Sequence, residues 1–210
     1  MPRPDPRSRE RRQRVAHEAA RLMAESGLRD YPLARRKAAA RLGIDDEASL
    51  PNPHEIEDAL REYQRLFAGD AHAAGLRMRR EAALRALEFF APFAPRLVGP
   101  VLDGTADAHS PVQLHLHADD PDAVARFLEE HGIPAQSRSR RLRLDRARNT
   151  ELPAWTFSAE DLAFDLTVLP HTALHQPPLS RIDDKPMHRA SAAQLRRLLA
   201  DEESASQSSR

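Results

Sequence analysis

Residues 97–117 read LVGPVLDGTADAHSPVQLHLH, and this stretch decides the fold of the chain. Its apolar start, within residues 96–101, predicts a strand, and a loop with two glycines follows. Residues 112–117 then alternate between apolar and polar side chains, which predicts a second strand with two different faces. One face carries Val112, Leu114 and Leu116, and the other carries Gln113, His115 and His117. Two strands joined by such a loop frame a candidate site.

Periodicity on either side of this stretch predicts an α+β protein. Four helices are expected upstream, at about residues 10–26, 33–42, 53–67 and 76–90. Downstream we expect a helix at 120–132, strands at 139–145, 154–158 and 162–169, an extended loop at 170–189 and a helix at 192–199. The predicted domains are a flexible basic tail (1–8), a helical domain (9–70), a small mixed-sheet domain (76–200) and a disordered tail (201–210).

Composition limits the possible classes of function. The 210 residues include 32 Lys plus Arg and 32 Asp plus Glu, so net charge does not indicate a nucleic acid or an anionic membrane as the partner. The chain has no cysteine, which excludes disulfides and thiolate metal sites. The apolar segments are too short for a membrane span, and no signal peptide is recognisable. We therefore expect a cytoplasmic protein that makes no membrane contact.

The N-terminal helices suggest one alternative function. Residues 15–44, with Ala-Glu-Ser-Gly and later Ala-Ala-Ala-Arg-Leu-Gly-Ile, resemble the first two helices of a TetR-type DNA-binding domain. That resemblance implies a recognition helix three or four residues later. Here residues 45–51 intervene, and the next helix begins with the acidic Glu55, Glu57 and Asp58, which would repel phosphates. DNA binding through these helices is therefore an alternative, and a helical packing domain is the preferred interpretation.

The strand-loop-strand stretch resembles the nucleotidyltransferase superfamily, in particular the minimal nucleotidyltransferases of prokaryotes. In that family one strand ends in Gly-Ser, and the next strand opens with Asp-x-Asp. A third carboxylate lies on a later strand of the same sheet. The aspartates bind Mg²⁺ together with the substrate phosphates. The resemblance covers about residues 97–169, and it implies a nucleotidyltransferase-like mixed sheet.

When the family pattern is aligned with this chain without a gap, several of its functional residues are replaced. Gly99-Pro100 takes the Gly-Ser place, and the two metal aspartates fall on Pro111 and Gln113. Asp165 falls where the third carboxylate would be. Proline offers no ligand atom and glutamine only a neutral oxygen, so the site loses two negative charges that would face a metal ion. The resemblance therefore implies a site that no longer holds Mg²⁺ and has lost metal-dependent transfer.

The main hypothesis is a nucleotidyltransferase-like pseudoenzyme that binds a nucleotide, RNA or a protein partner, and no cofactor is expected. The alternative is an active transferase with Mg²⁺, in which His115, or Asp103 and Asp107, assist Asp165. The catalytic candidates are Asp165 and His115. The candidate ligand-binding residues are Gly99, Gly104, Ser110, Gln113, Arg141 and Arg143.

Two further patterns admit more than one interpretation. His115 and His117, with Asp119 nearby, have a spacing that chelates zinc, but alternation of exposed polar residues with core leucines explains it more simply. Arginines recur between residues 138 and 148, where they would hold a phosphate or an RNA backbone. An exposed strand edge that resists aggregation explains these arginines equally well.

The chain also resembles an uncharacterised proteobacterial family, through RKAAARLG (36–43), ALREYQRLF (59–67) and QPPLS (176–180). Members of that family are sometimes labelled UDP-N-acetylmuramate-alanine ligase. Such a ligase needs a glycine-rich phosphate loop ending in Lys-Ser or Lys-Thr. This chain has seven glycines and no such loop, so its residues do not support the label.

Overall fold

The computed structural model describes residues 6–26, 28, 30–67, 69–144, 149–180 and 185–208. The chain divides into two compact units, which we call the N-terminal unit (residues 1–73) and the C-terminal unit (residues 74–210). This division lies inside the segment 69–75, whose Ala, Gly and His residues predict a linker between the two domains. In the structure this segment belongs to the helix Gly69–Phe89, which starts before the division and continues past it.

The N-terminal unit contains three helices, α1 (Pro6–Ser26), α2 (Tyr31–Leu42) and α3 (Pro53–Phe67). Helix α1 begins at Pro6, earlier than the predicted start at about residue 10, so residues 6–8 of the predicted flexible tail are helical. Residues 1–5 lie outside the described residues. Ten residues, 43–52, separate α2 from α3 and include the short 3₁₀ turn Glu47–Ser49. The buried stripes of the helices form one core, which includes Val15, Ala19, Met23, Ala34, Ala38, Ile56 and Leu60.

Residues 52–55, Asn-Pro-His-Glu, predict a capped helix start, because Asn52 offers an N-cap side chain and Glu55 reaches back to it. The structure confirms a reciprocal capping box at the start of α3. The Glu55 backbone N–H donates to Asn52 Oδ1 at 3.0 Å, and the Asn52 N–H donates to Glu55 Oε2 at 2.7 Å. Both bonds satisfy backbone donors that a helix start leaves without an intrahelical partner. The sequence alone was sufficient here because every partner lies within four residues.

Replacing Asn52 with alanine is expected to lower the stability of the N-terminal unit by about 1 kcal/mol, because the Glu55 N–H loses its acceptor. Hydrogen exchange of the first α3 amides in the full chain measures this loss. Asn52→Asp is the matched control, since aspartate also caps helices well and suits the positive end of the helix dipole. Equal protection in Asn52→Ala and Asn52→Asp would contradict the assignment.

The C-terminal unit combines helices with a five-stranded mixed sheet. Its helices are α4 (Gly69–Phe89, shared with the N-terminal unit), α5 (Pro100–Asp103), α6 (Asp122–Glu130) and α7 (Ala192–Ser208). Its strands are β1 (Arg96–Val98), β2 (Val112–His117), β3 (Gln136–Arg143), β4 (Asn149–Ala159) and β5 (Leu162–Leu169). The strand order is β1-β2-β5-β4-β3, and only β2 and β5 are parallel neighbours. The predicted mixed α+β class is confirmed.

The two faces of the sheet differ sharply. One face is apolar and packs with helix residues in a single core, and we call it the helix-covered face. It contributes Leu97, Val112, Leu114, Leu116, Phe164, Leu166 and Val168, which share the core with residues of α4, α6 and α7. The opposite face carries Gln113, His115 and Asp165, and we call it the Asp165 face. Alternation along β2 predicts this division.

Several predicted segments of the C-terminal unit differ in the structure. Residues 100–103 form the single helical turn α5 instead of extending the strand, because Gly99 turns the backbone and Pro100 suits the first position of a helix. Strand β4 begins at Asn149, although residues 146–152 predict a turn, because residues 149–153 pair with β3. The segment 170–189, predicted to be an extended loop, contains the 3₁₀ turn His171–Leu174.

The C-terminal tail also differs from its prediction. Residues 201–208, predicted to be disordered, continue α7 to Ser208. Arg77 and Arg80 of α4 form ion pairs with Glu203 and Glu202 of α7, respectively. These pairs link the acidic end of α7 to α4, a relation that composition does not reveal. None of the helices in the described ranges is long and apolar enough to cross a bilayer.

Candidate functional site

The candidate site starts from one row of residues across the sheet. Gln113 of β2 lies directly opposite Asp165 of β5, and Val98 of β1 lies opposite Gln113. Thr156 of β4 continues the row beyond Asp165. Because directly paired residues point to the same side of a sheet, Gln113 and Asp165 are neighbours on the Asp165 face. The structure thus brings together the two residues that the family pattern assigns to metal positions on β2 and β5.

Gly99 lies close to Gln113, and neither residue is among those that line the groove beside Asp165 described below. Gly99 precedes α5 with φ 72° and ψ −158°, a conformation that only glycine adopts readily. A Cβ atom built at Gly99 would lie 2.5 Å from Gln113 Oε1. The backbone therefore approaches the Gln113 amide more closely than any side chain at position 99 would allow.

Asp165 is a buried carboxylate with an arginine as its counter-ion. Only 9% of the residue is exposed, and Arg140 of β3 forms an ion pair with its Oδ2 atom. Burial raises the pKa of Asp165, while the positive charges of Arg140 and Arg138 and the Arg140 hydrogen bond oppose this shift. The net pKa is raised, so burial outweighs the arginines.

An open groove runs beside Asp165 at the end of the sheet where β2 and β5 begin. Its volume is about 540 Å³, which is within the usual range of small-molecule sites. The lining includes His109, Pro111, Arg138, Thr156, Ser158 and Asp165. A guanidinium, two hydroxyls and a carboxylate therefore meet one cavity, and this combination suits a ligand with both anionic and hydroxyl groups.

The arginines on the Asp165 face are not Arg141 and Arg143, which the sequence predicts as ligand-binding residues. The row that contains Asp165 and Thr156 continues to Gln136 of β3. Arg138 and Arg140 follow Gln136 by two and four residues, so their side chains lie on the same Asp165 face. Arg141 and Arg143 alternate with them and point to the opposite face of β3. The alternation was visible in the sequence, but only the pairing of β3 with β4 shows which of the two sets faces Asp165.

His115 is on the Asp165 face but is not among the groove-lining residues. It is 2% exposed, and its Nδ1 atom has no hydrogen-bond partner in the described residues. Burial, followed by the charges of His117, Arg189 and Arg140, lowers the pKa of His115 to about 3. Such an imidazole stays neutral at physiological pH and is poorly suited to exchange protons with a ligand in the groove.

His117 is buried in the same way. Its Nδ1–H donates to the Ala94 carbonyl oxygen at 2.9 Å, and its Nε2 atom has no partner in the described residues. Burial lowers the pKa of His117 to about 4 despite that hydrogen bond. Asp119, the third member of the zinc interpretation, accepts a hydrogen bond from the His171 backbone N–H at 3.0 Å. In the described ranges, no group of three or more His, Asp or Glu side chains could hold a metal ion.

Two predicted ligand-binding residues have structural roles in the loop between β1 and β2. The Ser110 hydroxyl donates to Asp107 Oδ1 at 2.8 Å and accepts from the Asp107 N–H at 2.9 Å, which closes a turn. Gly104 ends α5 with φ 80° and lies close to the buried Arg80 guanidinium. The Arg80 guanidinium donates to the Val101 and Leu102 carbonyl oxygens at 3.0 and 3.1 Å. These contacts shape the loop that ends at Pro111.

The carboxylates of the active-transferase alternative are engaged elsewhere. Asp103 contacts His188 Nδ1 at 3.0 Å, and Asp107 belongs to the Ser110 turn. Neither residue is among those that line the groove beside Asp165. No family model, curated protein or solved structure matches this chain.

Proposed function

We propose that the C-terminal unit is a nucleotidyltransferase-like domain that has lost metal-dependent transfer and binds a nucleotide in the groove beside Asp165. The observation that carries this proposal is the Arg140 to Asp165 ion pair. A buried carboxylate needs a positive charge nearby. In the superfamily that the chain resembles, a metal ion supplies this charge, and here an arginine of the same sheet supplies it.

The residues around Asp165 support the loss of the metal. Pro111 lines the groove and Gln113 lies opposite Asp165, so neither position next to this carboxylate carries a second acid. Mg²⁺ in proteins is usually bound through one or two carboxylates together with substrate phosphates. Because the single carboxylate is already paired with Arg140, a divalent cation would have to displace a guanidinium to bind there.

The groove itself supports a nucleotide as the ligand. Arg138 offers a guanidinium for a phosphate, and the Thr156 and Ser158 hydroxyls provide further hydrogen bonds. Asp165 is placed to accept a hydrogen bond from a sugar hydroxyl. A volume of about 540 Å³ fits a mononucleotide better than an RNA strand or a folded partner, the other two ligands that the sequence leaves open.

Isothermal titration of the full chain with ATP, GTP, CTP and UTP, in Mg²⁺ and in EDTA, tests this proposal. At least one nucleotide is expected to bind with similar affinity in both buffers, since no metal bridges it to the protein. Arg138→Ala is expected to weaken this binding about tenfold, because one charge-assisted hydrogen bond contributes about 1.5 kcal/mol.

Arg141→Ala is the matched control, since Arg141 lies on the same strand but points away from the Asp165 face. It is expected to leave nucleotide affinity unchanged. A larger loss in Arg141→Ala than in Arg138→Ala would contradict the assigned groove. Nucleotidyl transfer that requires Mg²⁺ or Mn²⁺ and disappears in Asp165→Ala would establish the active-transferase alternative instead.

A further inference from the structure

Strand β3 forms one edge of the sheet. It pairs with β4 along its whole length. On its other side, the described residues form one β-bridge to it, between Leu179 and its last residue, Arg143. There the Leu179 N–H donates to the Arg143 carbonyl oxygen at 2.7 Å. Most of β3 is exposed, including Ser137, Ser139 and Arg141. A sheet edge of this kind is a template for another strand.

The Leu179 contact shows which backbone groups of β3 point outward. The N–H and C=O groups of one strand residue point to the same side, and the side alternates along the strand. Because the Arg143 carbonyl faces Leu179, the backbone groups of Ser139 and Ser137 also point away from β4. Pro153 supports this assignment, since it lies opposite Ser139 and has no N–H to exchange across a hydrogen-bonded pair.

The positive charge of β3 indicates which kind of partner strand would bind to this edge. Strand β3 contains four arginines and no acidic residue. Glu151 lies opposite Arg141, and Asp165 is paired with Arg140. A second copy of the chain would bring its own β3 arginines against these, so self-pairing is electrostatically unfavourable. An acidic chain in the extended conformation has the complementary charge.

We propose that the outer edge of β3 binds an acidic extended peptide of a protein partner, which joins the sheet as an additional strand. The outward N–H and C=O groups of Ser137 and Ser139 form the ladder. Side chains of an added strand alternate between the two faces, so acidic residues at every second position lie beside Arg141. The peptide is therefore expected to have acidic residues with a period of two.

Fluorescence anisotropy with the full chain and a labelled peptide of alternating Glu and Thr tests this proposal. Saturable binding is expected. Arg141→Glu is expected to weaken it about tenfold or more, because repulsion replaces a charge pair across the added strand. Ser139→Pro is expected to do the same, since it removes an outward N–H while leaving the bonds to β4 in place.

A peptide of identical sequence in which every backbone nitrogen is methylated is the decisive control, because it keeps the charge but has no N–H to donate to the ladder. It is expected to bind at least about tenfold more weakly. Hydrogen exchange adds a readout that does not depend on any variant, since binding of the unmodified peptide is expected to slow exchange at Ser137 and Ser139.

Three outcomes would overturn the proposal. The first is equal affinity for the two peptides, which would reduce the interaction to charge alone. The second is unchanged exchange at Ser137 and Ser139 when the peptide is saturating. The third is tighter binding of a single-stranded RNA oligonucleotide that displaces the peptide, which would assign the arginines of β3 to a phosphate backbone.

Discussion

Alanine at position 99 is expected to lower the free energy of unfolding of the C-terminal unit by about 2 to 4 kcal/mol. Two effects add. The backbone at Gly99, with φ 72° and ψ −158°, is strained for any residue with a Cβ atom, and that atom would lie 2.5 Å from Gln113 Oε1. Urea denaturation of the full chain, followed through Trp155 of the C-terminal unit, measures the loss.

Two further variants separate the contributions at Gly99. Gly132→Ala is the control for a positive φ alone, because Gly132 has φ 65° and no atom within 4 Å of a built Cβ. It is expected to cost about 1 kcal/mol. Adding Gln113→Ala to Gly99→Ala is expected to recover part of the loss by removing the close contact. An effect of Gly99→Ala no larger than that of Gly132→Ala would show that the Gln113 contact is unimportant.

Acid is expected to destabilise the C-terminal unit through its two buried histidines. Burial lowers the pKa of His115 to about 3 and that of His117 to about 4, whereas both have a pKa of 6.5 when unfolded. Below pH 6.5 the unfolded chain binds protons that the folded chain does not, so stability falls as the pH falls. Between pH 7 and pH 5 each histidine is expected to remove about 2 kcal/mol.

Urea midpoints at pH 7 and pH 5 measure this effect in the wild type and in His115→Gln and His117→Gln. Each substitution removes one titrating group, so each variant is expected to lose about 2 kcal/mol less than the wild type between these pH values. His175→Gln, which changes an exposed histidine, is expected to retain the full loss. An unchanged pH dependence in both His115→Gln and His117→Gln would contradict the neutral, buried state of these side chains.

The elements that local sequence encodes were predictable. The alternation in residues 112–117 correctly predicts β2 and its two faces, and the Asn52 to Glu55 pattern correctly predicts the start of α3. These signals depend on side chains within a few positions of one another. The apolar stretch of β5 likewise predicts a central strand, and the structure confirms it between β2 and β4.

The structure differs from the sequence prediction where residues far apart in the chain decide the local conformation. Residues 149–153 resemble a turn but form part of β4, because β3 supplies hydrogen-bond partners along this segment. Residues 201–208 resemble a disordered tail, but Glu202 and Glu203 pair with arginines of α4 more than 120 residues away. No window of sequence around either segment contains the residues that order it.

The candidate site divides in the same way. The sequence by itself determined that Gly99 follows one strand and that Gln113 and Asp165 lie within two others, because these signals are local to each strand. Only the tertiary structure decided that Gln113 lies beside Asp165, that Arg140 rather than Arg141 is paired with this carboxylate, and that His115 is buried away from the groove. The physical reason is that periodicity within one strand sorts its side chains into two faces. The register between strands far apart in the chain decides which side chains of the two strands lie next to each other on the same face.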